Sequence, residues 1–210
     1  ETIDLHGLRK GREAALKANE VFSEKYLHTD YAKRELASIY RCDLSLIISE
    51  AEMQLLRAFF KVPDAQLLYL PFMVAPITSE EQQAWKSFET RKHFVTIGNF
   101  RHEPNWLSVR YLKTEIWPLI RKQLPDAEMR VYGSYPAEKH TQLHNPKEHF
   151  YVLGRAESAH EVIEEARVLL APLLTGAGLK GKLLDAMQCG TPAVTTSVGA
   201  EGMHGELDFN

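Results

Sequence analysis

The sequence predicts an α/β protein whose second half is a Rossmann-type, doubly wound parallel sheet, and three observations carry that expectation. From about residue 92 onward, short apolar runs alternate with helix-length amphipathic stretches. Runs of this kind separated by helices imply right-handed crossovers and parallel strands. Two of the runs, "HFVTIGNF" and "HFYVLG", carry a glycine at their carboxyl ends, Gly98 and Gly154, where such sheets place their ligands. Finally, "LLTGAGLKGKLLDAMQCGTPAV" (173–194) sets glycines and two lysines between an apolar run and a short helix.

The elements follow in order. Residues 7–41 have a helical pattern, with Leu16, Val21, Phe22, Leu27, Leu36 and Ile39 among many charges. "CDLSLIIS" (42–49) reads as a strand buried on both faces. Ser49 followed by Glu52 has the spacing of a capping box and opens a helix through about Phe60. "AQLLYLPF" is another short strand. The polar stretch 78–93 then marks a domain boundary, dividing the chain into 1–88 and 89–210. Past it, "HFVTIGNF" is a strand, and Asn105 caps a helix that runs to about Leu124 with a kink at Pro118. "AEMRVYGS" is a strand, followed by a short helix at Glu138–Leu143 and the strand "HFYVLG". Ser158 and Glu161 have the spacing of a second capping box, before a helix through Ala166. "RVLLAPL" (strand), "LKGKLLDAMQ" (helix) and "PAVTTS" (strand) complete the alternation.

Composition narrows the function classes. With 44% hydrophobic and 25% charged residues, the 210-residue chain is ordinary for a globular protein of one large or two small domains. A net charge of −3 gives no general attraction to nucleic acid or to an anionic membrane. No run is long and apolar enough for a transmembrane helix. Cys42 and Cys189 sit among apolar residues and read as reduced, mostly buried thiols of a cytoplasmic protein. The start lacks both an initiator Met and a signal-peptide core, and "GELDFN" ends without a terminating element. Both suggest a piece of a longer chain.

Residues 175–182 occupy the strand–turn–helix position that favours an anion. A helix N-terminus offers unpaired N–H groups and the positive end of its dipole. Gly176 and Gly178 allow close approach, and Lys180 or Lys182 adds charge. The loop does not have the Walker spacing, and the dinucleotide fingerprint is absent, so a dehydrogenase is poorly supported. If the helix starts near Leu179, Lys182 lies in its first turn and Asp185 about one turn later. Lys180 is rotated ~200° away from Lys182.

The stretch "PLLTGAGLKGKLLDAMQCGTPAVTTSVGAEG" closely resembles the nucleotide-sugar loop of family 4 (group 1) glycosyltransferases, which have the two-domain GT-B fold. "VTIGNFRHEPNWLSVRYLKTEIWPLIRKQLPDAEMRVYGS" resembles the opening of the same C-terminal domain. "LHGLRKGREA" and "ELASIYRCDLSLIISEAEMQLL" are similar to the last part of the acceptor-side domain. The resemblance implies retaining, metal-independent transfer from a nucleoside-diphosphate sugar to a glycan, lipid-linked or other hydroxyl acceptor. No nucleic acid partner and no cofactor are implied, and the protein would be cytoplasmic or peripheral to the membrane.

The resemblance also assigns roles. Asp185 matches the second acid of the family's E-x7-E pattern, which bonds the ribose hydroxyls, although the family usually has Glu there. The first acid, which holds the donor sugar, is replaced by Ala177. Apart from the resemblance, Glu201 in "GAEG" follows a strand end and reads equally as a residue facing the sugar or as a turn residue. Lys182 matches a lysine that follows a Gly-x-Gly loop in one subgroup. With Gly176, Gly178 and Arg101 it would meet the diphosphate, Lys180 being the alternative. Gly154 and Arg155 match the point where the backbone meets the base. No side chain is an evident nucleophile.

Other features read more simply. His140, His144 and His149 lack the converging acids or cysteines that a metal site needs. His102 and His6 lie in loop-like or cleft-side positions, and Trp106 and Trp117 are packing residues. Arg9, Lys10 and Arg12 form a solvated helix face. The alternative to an active transferase is a non-catalytic nucleotide-sugar-binding module, suggested by Ala177. A GT-B epimerase has no specific support.

Overall fold

The structure is a computed structural model and describes residues 4–203. The chain forms two compact units. One comprises the described residues up to Ala75, then Thr175–Lys180, then those from Ala200 on; the other comprises Pro76–Leu174 and Gly181–Gly199.

The first unit begins with α1 (His6–Lys17), a 3-10 turn at Glu24–Leu27 and α2 (Asp30–Ile39). The helical stretch expected over 7–41 is thus two helices. Asn19, at φ 54°, takes the left-handed conformation just past α1, and the Thr29 side chain accepts from Ala32 N to cap α2. Gly7 and Gly11 let α1 pack closely. A Cβ at Gly7 would lie 2.7 Å from Ala32, and one at Gly11 would lie 2.2 Å from the Tyr26 carbonyl oxygen. Leu5, at the N-terminus of α1, offers no side-chain cap. The amides of His6 and Gly7 are instead accepted by the Glu35 carboxylate of α2, both at 2.5 Å.

β1 (Ser45–Ile47), α3 (Glu50–Ala58) and β2 (Leu67–Tyr69) complete this unit, with β1 and β2 paired in parallel. Both strands are shorter than the apolar runs suggested, and Cys42, expected to be buried, is exposed. The capping box at α3 does not form. Ser49 flanks the helix with no side-chain cap bond, and Glu52 turns away from the helix end to accept two other amides. Leu5, Leu8, Ile47, Met53 and Leu56 form the core with Ala177.

The second unit opens with α4 (Ser79–Ala84), a helix in the stretch read as a boundary, begun by a capping box between Thr78 and Glu81. β3 (Lys92–Asn99) follows, then α5 (Glu103–Tyr111), a π turn at Leu112–Ile116 and α6 (Trp117–Gln123). Pro118 cannot donate to a carbonyl one turn back, and the widened turn lies just before it. The expected kink is therefore a π bulge. The helix cap is His102, not Asn105, which lies inside the first turn. β4 (Met129–Ser134), α7 (Glu138–Thr141), β5 (Phe150–Gly154), α8 (Ala159–Glu165), β6 (Ala166–Ala171), α9 (Gly181–Gln188), β7 (Ala193–Thr195) and α10 (Ser197–Ala200) follow. At α8 the Ser158 hydroxyl accepts from Glu161 N, half of the expected box.

The sheet is all parallel in the order β5-β4-β3-β6-β7, so the expected α/β fold class holds. Phe100, Val109, Leu112 and Trp117 pack on it against Met129 and Val131 of β4. Gly133 lacks a side chain where the Phe100 ring lies 2.2 Å from a Cβ position. Arg91 is buried just before β3 and donates to the carbonyls of Lys86, Glu164 and Cys189 and to the Thr191 hydroxyl. One guanidinium therefore gathers the ends of α8 and α9 beside the sheet. Cys189 is buried, and burial pushes its thiol up to about 11.

Candidate functional site

In the second unit the candidate residues collect at the carboxyl ends of β3 and β4 and the start of α9. α9 begins at Gly181, two residues later than expected, so Lys182 is in its first turn and Lys180 precedes the helix. The half-buried Lys182 ammonium donates to Asn105 Oδ1 at 2.8 Å, while Asn105 Nδ2 donates to the Asn99 carbonyl at 3.0 Å. A side chain at Gly98 would sit 2.7 Å from the Asn105 amide group, so the glycine at the end of β3 makes room for it. Burial holds the Lys182 ammonium down at about 8. Asn105 was missed as a site residue by sequence reasoning. Its one signal was an Asn placed inside a first helical turn, where it is a poor helix former unless its side chain is engaged.

Asp185 lies one turn beyond Lys182, half-buried, and burial raises its carboxyl above the usual range. Arg101 follows β3. Its guanidinium stacks 3.8 Å from the ring centre of Tyr135, an exposed residue in the left-handed conformation after β4. Gly154 ends β5 at φ 73° with open space where a Cβ would point, and Arg155 next to it is exposed. His140 is packed rather than free: its ring stacks on Phe100, meets Trp106 edge-on, and its Nδ1 accepts from Ala137 N. Among the described residues no group of three or more His, Cys, Asp or Glu could hold a metal ion. A large cavity of about 670 Å³ lies at the opposite, amino ends of β3 and β4, lined by His93, Arg130 and Arg167. It is far along the strands from the Lys182 group.

The glycine loop itself, Thr175–Lys180, belongs to the first unit. Arg12 donates to the Gly176 carbonyl at 2.8 Å and forms a two-point ion pair with Glu201, at 3.1 and 2.5 Å. Arg12 is thus not part of a solvated face. Arg9 pairs with Asp4, just before α1, and Lys10 with Glu13 one turn on in the same helix. His6 points its Nε2 at Asp4, 3.1 Å away. Lys180 is buried, and its ammonium donates to the carbonyls of Ala177 and Gly178 at 3.2 and 2.5 Å. Burial lowers its pKa, against the pull of Glu201. The methyl group of Ala177 is part of the apolar core. Glu52 is fully buried and accepts from Gly178 N.

A family model for group 1 glycosyl transferases matches residues 91–208. The chain belongs to that family. It is similar to an uncharacterized 44.6 kDa protein in the cps region of Klebsiella pneumoniae, 26% identical over 120 residues, which is 52% of this chain and 31% of that protein. Among solved structures it resembles TarM of S. aureus (TM-score 0.65, 16% identity), covering 86% of this chain and 36% of TarM in the complex with Fondaparinux, alpha-GlcNAc-glycerol and UDP. WaaG, a glycosyltransferase involved in lipopolysaccharide biosynthesis, is similar at a TM-score of 0.56 and 16% identity, over 89% of this chain and 54% of WaaG. HepE of Anabaena, in complex with UDP and glucose, is similar at a TM-score of 0.53 and 13% identity, over 90% of this chain and 56% of HepE. The chain therefore spans about a third to just over half the length of these relatives and has the fold of GT-B glycosyltransferases. Among its described residues, no helix is long and apolar enough to cross a membrane.

Proposed function

We propose that the chain serves glycosyl transfer, in which a sugar passes from a nucleoside diphosphate to an acceptor hydroxyl with retention and without a metal. The observation that carries this reading is the Lys182–Asn105 pair at the start of α9, with Asp185 one turn on, in a chain of this family. Lys182 takes the diphosphate, with Arg101 as its partner, and the carboxylate of Asp185 accepts from the ribose hydroxyls. As the glycosidic bond to the leaving diphosphate breaks, negative charge grows on it. An ammonium, a guanidinium and a helix N-terminus can stabilise that charge without proton transfer or metal. Gly154 and Arg155 meet the base. In this reading residues 1–88 serve the acceptor and 89–210 the donor. UDP in the TarM and HepE complexes makes a uridine donor the first to test.

Calorimetry with UDP, GDP, ADP and TDP tests the reading. One of them should bind, and Lys182→Ala should weaken it by about 1.5–3 kcal/mol, the scale of a hydrogen bond to a charged group. Unchanged affinity in that variant would sink the diphosphate assignment. Burial of the Ala177 methyl in the core, where the family has a sugar-holding acid, favours a second reading as a non-catalytic binding module. Binding of a nucleotide sugar with neither its hydrolysis nor transfer, by the longest chain that can be made, would choose that reading.

A further inference from the structure

The loop 175–180 combines two glycines at positive φ, 147° at Gly176 and 64° at Gly178, and so has more conformational freedom to lose than an ordinary loop. Charged side chains hold its backbone at four polar atoms. Arg12 holds the Gly176 carbonyl, Lys180 the Ala177 and Gly178 carbonyls, and Glu52 the Gly178 amide at 2.7 Å. Glu52 Oε1 also accepts from Leu5 N at 2.9 Å. One buried oxygen therefore fastens the loop to the segment that leads into α1. The Glu52 Oε2 atom is buried and has no hydrogen-bond partner among the described residues, so the side chain is committed to those two amides. Capping does not account for Glu52, because it makes no bond to the start of its own helix. The charged groups facing it are Asp4 and Lys180.

We propose that Glu52 is a positioning residue for donor binding, holding the glycine loop in its binding shape through the Gly178 amide. The donor part rests on the function proposed above. It follows that Gly178 N–H is engaged by the protein before any ligand arrives and is not itself a phosphate donor, so the loop serves the donor through its shape. The loop is preorganised, and donor affinity does not bear the cost of ordering it.

Two measurements test this: hydrogen exchange of the peptide containing 175–180, and UDP affinity by calorimetry. Glu52→Ala should speed exchange of the loop about tenfold and weaken UDP about tenfold, the loss expected when a buried amide bond to a charged group is removed. Glu52→Gln keeps an oxygen that can accept from both amides and should restore both readouts to within about twofold. Met129→Ala, equally buried but in the core of the second unit at the amino end of β4, should lower stability but leave loop exchange and UDP affinity unchanged. If Glu52→Ala does not fold, Glu52→Asp replaces it, since the shortened carboxylate cannot reach Gly178 while Glu52→Gln can. Unchanged exchange, fast exchange with unchanged UDP affinity, or a Gln variant as damaged as the Ala variant overturns the proposal. A wild-type protein that binds no UDP defeats the donor reading alone, and the exchange data then decide by themselves whether Glu52 holds the loop.

Discussion

At the residue scale, burial sets two opposite proton balances. Lys182 is charged below about 8 and loses its proton above that, where a free lysine would keep it. Diphosphate affinity should accordingly fall as pH rises from about 7 through 9. Lys182→Ala should bind weakly at every pH and without that slope. Glu52 moves the other way: burial raises it from 4.5 to about 7, against the two amides that lower it. A carboxyl raised on folding takes up a proton between those values. Its contribution to stability is therefore fully present below pH 4.5 and is lost as pH rises through 7. The span corresponds to about 3 kcal/mol at 1.36 kcal/mol per unit. Glu52→Gln should flatten that part of the stability–pH curve in urea titrations. An identical slope in the variant would mean that another group carries it.

At the scale of elements, the close of β3 and the start of α5 work as one piece. Gly98 leaves the space that Asn105 fills, Asn105 is tied to the Asn99 carbonyl, and Lys182 hangs from Asn105. Gly98→Ala should therefore weaken diphosphate binding several-fold through displacement of Asn105, with a stability loss in the ~1–3 kcal/mol range of overpacking. Parallel losses in Asn105→Ala, measured by calorimetry, would support the chain of contacts; full affinity in both would refute it. α1 shows the same logic in packing alone. A methyl at Gly11 meets backbone rather than a movable side chain, so Gly11→Ala should destabilise by about 1–3 kcal/mol without the relief that rotamer changes provide.

At the scale of the molecule, the first unit is assembled from stretches far apart in the chain. Arg12 and Glu201 are separated by 189 residues and form its longest-range ion pair among those described here. The pair is largely shielded from water, with side-chain exposures of 12% and 25%. Removing one partner leaves the other short of its charge. Arg12→Ala and Glu201→Gln should each cost about 1.5–3 kcal/mol in urea denaturation, and the double variant less than their sum. Residues up to Ala75 expressed alone lack Ala177 from their core, Gly178 N for Glu52 and the Gly176 carbonyl for Arg12. That fragment should show broad, weakly cooperative unfolding by circular dichroism.

Local pattern determined a good deal by itself. The alternation after residue 92 was enough for the parallel sheet, because each buried strand and amphipathic helix announces itself within a few residues. The placement of Lys182 in the first turn of α9 and of Asp185 about one turn on was legible from helix spacing for the same reason. Tertiary structure decided which groups meet. Ser49 and Glu52 have the spacing of a capping box, yet Glu52 bonds to an amide 126 residues away. Asn105 looked like a cap and became the seat of Lys182. Arg12 looked solvated and became the partner of Glu201. Lys180, which local spacing could only set beside Lys182 as an alternative, folds back on its own loop. Spacing along the chain counts the contacts within one or two helical turns. A buried charge instead needs whichever donor or acceptor the fold delivers to it, since leaving it unpaired costs more than any local preference contributes.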